Sequence, residues 1–286
     1  NTLPELQAKA ASPSERVWLN LPGSIINRGL ELELSLVPYR SKTFGWNVNL
    51  NATTVKNTVE DMPFSQVSTG ALNGQGLTGA FSQVYRNGES VGSFLLFEHQ
   101  GFDDNGINKF RDVNGDGAIT EGDKVIAGKA LPSFYWGVVN SFNFGNFDFN
   151  FFFQGVHGFD IYNNTANAVF SKSALSSGGN STAEYANNTE SKSNTPSAST
   201  FFLEKGDFVR LNNATLGYNF KLNNTKWVKG VRLYVTGQNL ALFTDYTGYD
   251  PEVNIPKSIN GVTSYGIDYS MYPRARTFLF GLNASF

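Results

Sequence analysis

The sequence predicts an all-β fold, part of a large antiparallel β-barrel whose strands cross a membrane. Three observations lead to this prediction. Apolar and polar residues alternate with a period of two in segment after segment, tight turns alternate with long loops, and the chain ends on an amphipathic strand closed by Phe286. A water-soluble sandwich also has apolar strand faces, but the recurrence of the pattern up to the last residue favours the membrane barrel.

Nine segments carry the strand pattern. In the first, which starts near Arg28, leucines at positions 30, 32, 34 and 36 alternate with Glu31, Glu33 and Ser35. Most of the segments have roughly 9 to 13 residues, more than globular strands usually have and enough to cross a bilayer when tilted. The other predicted strands cover residues 46–51, 77–86, 90–99, 134–144, 147–156, 208–220, 231–243 and 275–286.

The segment 147–156 shows most clearly which face meets lipid. Its phenylalanines at 147, 149, 151 and 153 alternate with Asp148, Asn150, Phe152 and Gln154. One face is therefore a row of aromatic rings and the other is mostly polar. We expect the aromatic face to contact lipid and the polar face to line the barrel interior.

The connections predict an orientation. Residues 38–41 and Gly145-Asn146 make tight turns, and Asn87-Gly88 is typical of a type I′ turn in a hairpin between 77–86 and 90–99. Barrels of the outer membrane have short turns on the periplasmic side and long loops outside the cell. Loop 101–132, which holds a calcium-like motif, and the polar loop 163–200 are thus predicted to be extracellular. The long connections cover residues 55–77, 101–132, 163–200 and 244–274.

Composition excludes several other classes. The aromatic content of 14% is high and the charged content of 16% is low for a soluble domain, and neither value suits disorder. There is no cysteine for a thiolate site, and a net charge of −2 gives no reason to expect nucleic acid as a partner. No apolar run is long enough for a transmembrane helix, and residues 1–16 lack the apolar core of a signal peptide.

Residues 112–123 resemble a calcium-binding loop. Acidic or amide side chains stand at its first, third and fifth positions, Gly117 permits a sharp turn, and hard oxygen ligands favour calcium. The closing residue is Asp rather than the usual Glu, and a loop rich in Asx turns that binds no metal is the alternative. A bound ion would stiffen the loop and take no part in chemistry. The predicted ligands are Asp112, Asn114, Asp116, Ala118, Thr120 and Asp123.

Catalysis has little support, so the sequence predicts that this is not an enzyme. His99 and His157 lack partners at a diagnostic spacing, and no phosphate loop or nucleophile motif occurs. The acidic pairs Asp103-Asp104 and Asp250/Glu252 are explained better as solvated loop residues than as glycosidase carboxylates. The last long loop is rich in tyrosine, a residue that stacks on sugars or packs on partners. Tyr246, Tyr249 and Tyr265 are candidate substrate contacts, whereas Tyr269 and Tyr272 suit an interfacial aromatic girdle.

The final strand is a predicted assembly signal. Phe278, Phe280, Leu282 and Phe286 share one face with Ala284. An amphipathic strand that ends on an aromatic residue is what the outer-membrane assembly machinery is understood to read. A buried terminal strand of a soluble barrel is the alternative.

Five segments together resemble the SusC/RagA family of TonB-dependent outer-membrane transporters of Bacteroidetes. They occur in the order found in that family, and the Gly-Gln-Asn-Leu and Gly-Tyr-Asp-Pro-Glu motifs are the most distinctive. The segments are FRDVNGDGAITEGDKVIAGKALPSFYWGVVNSF from Phe110, FDFNFFFQGVHGFDIYN from Phe147, DFVRLNNATLGYNF from Asp207, VRLYVTGQNLALFTDYTGYDPEVN from Val231 and YPRARTFLFGLNASF from Tyr272.

The resemblance implies the C-terminal portion of a 22-stranded barrel in the outer membrane. The plug, the TonB box and the N-terminal extension of such proteins have no counterpart in these 286 residues. We therefore expect the remaining strands and the plug to be supplied by another polypeptide or by another part of the same one, since open edges in lipid are costly. The implied partners are a SusD-like lipoprotein, the TonB complex, outer-membrane lipid and a glycan or peptide substrate.

Three functions are compatible with the sequence. The first is active import of glycans or peptides. The second is a structural or adhesive role for an outer-membrane barrel, and the third is carbohydrate binding by a soluble calcium-dependent β-protein. A requirement for detergent separates the first two from the third, and a plug with a TonB box separates the first from the second.

Overall fold

The computed structural model describes residues 5–7, 16–18, 23–222 and 227–286. Most of the segment predicted to lack a signal peptide, residues 1–16, lies outside this range. None of the helices in the described ranges is both long and apolar enough to span a bilayer.

Strands account for most of the regular structure. In chain order they are β1 (Glu5–Gln7), β2 (Arg16–Trp18), β3 (Ser24–Arg40), β4 (Phe44–Glu60), β5 (Val67–Ala71), β6 (Phe81–Tyr85), β7 (Ser93–Phe97), β8 (His99–Phe102), β9 (Asn108–Phe110), β10 (Lys124–Lys129), β11 (Phe134–Phe144), β12 (Phe147–His157), β13 (Asp160–Asn163), β14 (Leu203–Lys205), β15 (Phe208–Lys221), β16 (Gly230–Thr244), β17 (Ile267–Asp268) and β18 (Thr277–Ser285).

Helical structure is limited to short pieces. They are 3₁₀ turns at Glu121–Asp123, Lys172–Ser177 and Thr200–Phe202, a π turn at Ala166–Phe170, and the five-residue helix α1 at Ala183–Asn187.

Seven long strands form one antiparallel sheet, here called the wall. Its order is β18-β16-β15-β12-β11-β4-β3, so each strand pairs with the neighbour that precedes or follows it among the wall strands. The strands are 9 to 17 residues long, which suits a tilted crossing of a bilayer. The last strand, β18, pairs with β16, and Val235 lies opposite Phe280.

The register aligns residues of like polarity across the wall. One row consists entirely of apolar and aromatic side chains, and it starts at Tyr39 and ends at Phe280. The adjacent row on the opposite face is mostly Asn, Ser and Thr. Successive side chains of a strand point to opposite faces, so the apolar row and the polar row lie on opposite faces of the wall. The apolar row extends across all seven strands. The apolar row is Tyr39, Trp46, Phe142, Phe149, Leu216, Val235 and Phe280, and the polar row is Asn47, Ser141, Asn150, Thr215, Thr236 and Leu279.

Three long loops lie at one end of the wall and short turns lie at the other. The loops, residues 61–133, 158–207 and 245–276, are here called the first, second and third loops, and together they form the cap. Turns at 41–43 and 145–146 join wall strands at the opposite end. The first turn falls slightly later than predicted, because β3 continues through a bulge between Leu36 and Tyr39 that accommodates Pro38, a residue without a backbone donor.

The cap has its own sheets and core. Strands β10-β7-β6-β5 form a four-stranded sheet, β14-β13-β17 a three-stranded sheet, and β8-β9 a hairpin. All three loops contribute to one buried apolar cluster, so the cap folds as a unit. Its buried members are Leu72, Leu77, Phe94, Leu96, Ala130, Tyr162, Ala166, Ala198, Phe202 and Ile267.

The assignment of segments 77–86 and 90–99 to the barrel is wrong. They contain β6 and β7, strands of only five residues that belong to the cap. Both faces of β6 are largely buried, with Val84 and Gln83 facing opposite ways, so it has no face for lipid. The turn between them is not type I′ either, since Gly88 has a positive φ while Asn87 does not. The described wall therefore has seven of the nine predicted strands.

Candidate functional site in the cap and on the polar face of the wall

The strongest polar cluster lies where the cap meets the wall. Arg210 of β15 is 1% exposed and its Nη2 lies 2.7 Å from Asp250 Oδ1 and 3.1 Å from Glu252 Oε2. Its Nη1 donates to Asn239 Oδ1, and Nε has no hydrogen-bond partner. Arg274 adds a second cation, with Nη1 2.9 Å from Glu252 Oε2.

This cluster, here called the arginine clamp, explains several sequence motifs at once. Arg210 comes from the segment Asp207-Phe-Val-Arg, Asn239 from Gly-Gln-Asn-Leu, Asp250 and Glu252 from Gly-Tyr-Asp-Pro-Glu, and Arg274 from Tyr-Pro-Arg. Asn239 has φ +53°, which Asn tolerates better than most residues, and its Nδ2 lies 3.2 Å from the Arg274 carbonyl. The clamp therefore joins two wall strands to both ends of the third loop.

The view of Asp250 and Glu252 as solvated loop residues is wrong for Asp250. Asp250 is 3% exposed and its carboxylate contacts both arginines, with Oδ2 3.7 Å from Arg274 Nε. A carboxylate this deeply buried is stable only when charge partners and donors replace water. The spacing of the two acids gave no indication of this, because their partners lie some 20 to 40 residues away in sequence.

A smaller ion pair lies on the polar face of the wall near the short turns. Arg232 Nε is 2.9 Å from Asp148 Oδ1, and a second contact joins Arg232 Nη2 to Asp148 Oδ2. The pair crosses over Gly217 of the strand between them, where an added Cβ would lie 2.6 Å from both side chains. Glycine is needed at 217 because two long side chains meet above its backbone.

Side-chain amides connect the three loops of the cap. Gln83 of β6 donates from Nε2 to the Tyr265 carbonyl at 2.6 Å and accepts from the Tyr265 N–H at 3.0 Å. Asn164 makes the same paired contact with the backbone of Asn73, at 2.8 and 2.9 Å. Both amides thus substitute for missing strand neighbours, and they fix the first loop to the second and third.

A cavity of about 210 Å³ opens between the second and third loops. Tyr185, Phe170 and Tyr249 supply aromatic surface, while Glu184 and Asp268 supply carboxylates. Asp268 is 4% exposed, and its Oδ2 accepts from the Tyr246 hydroxyl at 2.6 Å. The other lining residues are Asn163, Thr165, Ala166, Thr182, Thr247, Gly248, Ser270 and Met271.

The predicted calcium loop forms a compact turn. Asp112 accepts from the Gly115 and Gly117 N–H groups at 2.7 and 2.9 Å, and Asp123 accepts from Val113 and Thr120 at 2.9 and 2.7 Å. These hydrogen bonds account for the loop conformation without an ion. In the ranges that the structure describes, no group of three or more His, Cys, Asp or Glu side chains is placed to hold a metal ion.

The remaining proposed ligands have local partners too. Asn114 Oδ1 accepts from the Asp116 N–H, and Asp116 Oδ1 accepts from the Ala118 N–H, at 2.9 and 2.8 Å. Hydrogen bonds from Thr120, ahead of smaller contributions, lower the pKa of Asp123. Asp123 therefore stabilises the folded loop at neutral pH, and this stabilisation is lost as the pH falls through its lowered pKa. Calcium binding by Asp112, Asn114, Asp116, Ala118, Thr120 and Asp123 stays a prediction.

The three candidate tyrosines occupy different environments. Tyr246 is 5% exposed and packs in an apolar cluster with Phe208, and Tyr265 packs between the two other clusters of the cap. Tyr249 is 71% exposed at the cavity mouth, so among the three it is the one placed to meet a ligand. The role of all three as substrate contacts remains a prediction.

The residues of the predicted assembly signal lie on an exposed strand. Phe278, Phe280, Leu282 and Phe286 are 60%, 80%, 62% and 77% exposed. Strand β18 pairs with β16 along one edge, and its other edge has no partner among the described strands. The same holds for β3 at the far side of the wall. The recognition of Phe278, Phe280, Leu282 and Phe286 as an assembly signal stays a prediction.

The fold defines a class of protein: part of an all-β barrel with an apolar outer face and a folded cap of long loops. Relatives of this chain are TonB-dependent receptors. "TonB-dependent receptor P3" of Formosa agariphila is 33% identical over 296 residues, covering 92% of this chain and 29% of the relative. "TonB-dependent receptor SusC" of Bacteroides thetaiotaomicron is 33% identical over 283 residues, covering 92% and 27%. No protein-family model matches the chain.

Solved structures show the same fold. The RagAB peptide transporter superposes with a TM-score of 0.76 at 18% identity, covering 99% of this chain and 32% of that one. The RagAB peptide importer in the "closed-closed" state superposes with a TM-score of 0.71. These relatives confirm the resemblance to the SusC/RagA family of TonB-dependent receptors. The chain spans about 30% of the length of the relatives it matches.

Proposed function

We propose that this chain is the C-terminal part of the barrel of an outer-membrane importer that takes up glycans or peptides with energy from TonB. One observation carries the proposal: the wall is apolar on one face and polar on the other across seven paired strands. A wall of this kind separates lipid from a wet interior. Its relatives are named receptors and transporters, which supports a role in transport rather than catalysis.

The partners of the proposed importer follow from what the wall lacks. The outer edges of β3 and β18 have no partner among the described strands and would leave unpaired backbone groups in lipid. We propose that the remaining strands of a 22-stranded barrel cover them. A plug within the barrel and the TonB complex would gate and power import. The folded cap offers a surface for a SusD-like lipoprotein on the outside of the cell.

The composition of the polar face supports a neutral or mixed substrate path. Its central row contains Asn, Ser and Thr, and the hydroxyls of Thr215 and Thr236 lie 2.8 Å apart. The Asp148/Arg232 pair on this face is internally neutralised. Such a surface can form hydrogen bonds with both hydroxyl and amide groups. It therefore suits glycans and peptides equally as substrates. The structurally similar RagAB is a peptide transporter.

The proposal is tested by deleting the gene of the complete protein in its bacterium and supplying oligosaccharides or peptides as the only nutrient. We expect growth on one of these classes to fail, and to return with the wild-type gene. Dissipating the proton-motive force should stop uptake of the labelled nutrient without stopping surface binding. Uptake that persists in the deletion strain on every class, with normal amounts of other transporters, would contradict import and favour a structural or adhesive barrel.

A further inference from the structure

The cavity between the second and third loops has an unusual charge balance. Its lining includes the carboxylates of Glu184 and Asp268 and no Lys, Arg or His side chain. Asp268 is 4% exposed, yet within the described ranges no cationic group lies at ion-pair distance from it. Its hydrogen bonds come from the hydroxyls of Tyr246 and Thr165, at 2.6 and 3.3 Å. Neutral donors leave the negative charge of a buried carboxylate uncompensated.

The surroundings of the cavity add to this negative charge. Burial, followed by the charges of Glu204, Glu184 and Glu190, raises the pKa of Tyr185 to about 12. Glu204 is occupied by its contacts with Thr247, at 2.8 and 2.9 Å, and contributes only its field. The cavity therefore opposes anionic ligands.

Aromatic surface completes the cavity. Tyr249 is 71% exposed at the mouth of the cavity. Phe170 and Tyr185 line the cavity and contact each other, with ring centroids 6.4 Å apart. Faces of aromatic rings attract cations, most strongly where water is partly excluded. Carboxylates and aromatic rings that line one cavity form the kind of site that holds an ammonium or guanidinium group.

We propose that this cavity binds a cationic group of the substrate, the side chain of an arginine or lysine in an imported peptide. The inference rests on the proposed import function, because import supplies the peptide. A volume of about 210 Å³ admits one side chain and not a folded partner. Asp268 supplies the charge partner, Tyr249 covers the group at the mouth, and Glu184 attracts it from solution.

The test uses the complete purified protein in detergent and two short peptides that differ at one position, arginine against the isosteric but neutral citrulline. Calorimetry should show the arginine peptide binding roughly ten-fold more tightly. Asp268→Asn keeps an acceptor for the Tyr246 hydroxyl, so it should remove the preference for arginine while leaving citrulline binding unchanged. Asp104→Asn, at an exposed position elsewhere in the cap, should leave the preference intact.

Two further variants guard against a fold defect at the buried position. Tyr249→Ala and Glu184→Gln change exposed side chains, and each should reduce the arginine preference without changing thermal unfolding. Tyr246→Phe removes the hydroxyl but not the charge, and it should keep the preference. Equal affinity of the wild-type protein for the two peptides would overturn the cation site. Displacement of the arginine peptide by a neutral oligosaccharide, but not by the free amino acid arginine, would overturn it too.

Failure of this inference is distinguishable from failure of the import function. If wild-type cells take up labelled peptide but Asp268→Asn leaves the arginine preference intact, the cavity assignment is wrong and import stands. If cells with the wild-type protein import nothing, the proposed function fails whatever the calorimetry shows.

Discussion

The wall exposes large apolar side chains, whereas the cap buries them, although both regions belong to one chain. In the wall, large apolar side chains are exposed, with Phe280 at 80% and Leu30 at 79%. In the cap, Phe94, Leu96 and Ile267 are 0% exposed and form a core of the ordinary kind. Both regions are made mainly of antiparallel strands, so strand formation alone does not determine whether apolar residues face outward or inward. What differs is the partner of the apolar face: other loops for the cap and, in the proposed importer, lipid for the wall.

The arginine clamp lies at the boundary of these two regions and gives the largest expected effect. Arg210→Met leaves Asp250 buried beside Glu252 with only Arg274 for charge compensation. Breaking a buried pair in this way costs about 3–5 kcal/mol. We expect a loss of that order in the free energy of unfolding of the complete protein in lipid vesicles, measured in urea.

The matched control is Arg111→Met in the cap. Its ion pair with Glu98 is at similar distance, 3.1 Å, but the two side chains are 54% and 39% exposed. Such pairs are worth about 0.2–1 kcal/mol. If the two variants lost equal stability, the clamp would not be the anchor between wall and cap.

The two faces of the wall give the next effect. Phe151→Arg places a charge on the apolar face of β12, and Asn150→Arg places it on the polar face one residue away. An arginine facing lipid at mid-depth costs about 2–4 kcal/mol, whereas the barrel interior is wet. Folding yield in liposomes should therefore fall for Phe151→Arg and hold for Asn150→Arg. A loss of yield for Asn150→Arg alone would show that the faces have been assigned the wrong way, and equal yields would show that the sheet does not cross a bilayer.

The difference between wall and cap also decides what the sequence could predict. Strands β12 and β18 were predictable because a barrel strand carries its whole pattern locally, one residue in and the next out. Strands β6 and β7 were assigned to the barrel because their local pattern is also strand-like. The burial of β7 depends on Tyr162 and Ile267, and Tyr85 of β6 is buried with Val262, all of which are distant in sequence.

The candidate site shows the same limit in its chemistry. The hydrogen-bonded turn around Asp112 could be recognised because its partners lie within five residues. The pairing of Arg210 with Asp250 spans 40 residues and the contact of Gln83 with Tyr265 spans 182. Nothing in the spacing of those residues identifies their partners, so a single sequence gives the motifs but not the clamp or the cap.

The terminal strand tests whether the exposed apolar edge is read during assembly. Deleting Phe286 removes the last aromatic residue, 77% exposed, but none of the cross-strand pairs between β16 and β18. We expect a marked fall in the outer-membrane amount of the complete protein, measured by fractionation. Deleting Asn180 from the second loop should have a smaller effect, since that residue is exposed and outside any strand. Unchanged amounts after the Phe286 deletion would contradict the assembly signal.

The calcium-like loop gives the smallest expected effect on the fold, because most of its residues are exposed and it lies outside the wall strands. Asp112→Asn with Asp116→Asn removes two negative charges and leaves one acceptor oxygen on each side chain, enough for the Ala118 N–H and for one of the Gly115 and Gly117 N–H groups. If the loop binds calcium, calorimetry of the complete protein should show uptake that the double variant loses, because affinity depends on ligand charge. Asp103→Asn is the control, since its carboxylate makes the same kind of turn, accepting from Asn105 and Ile107 at 2.9 and 2.8 Å, outside the motif. Identical heats for the wild-type protein and the double variant would mean that these carboxylates only stabilise the turn. The hydrogen bonds from backbone N–H groups to their oxygens would then explain the conformation of the loop.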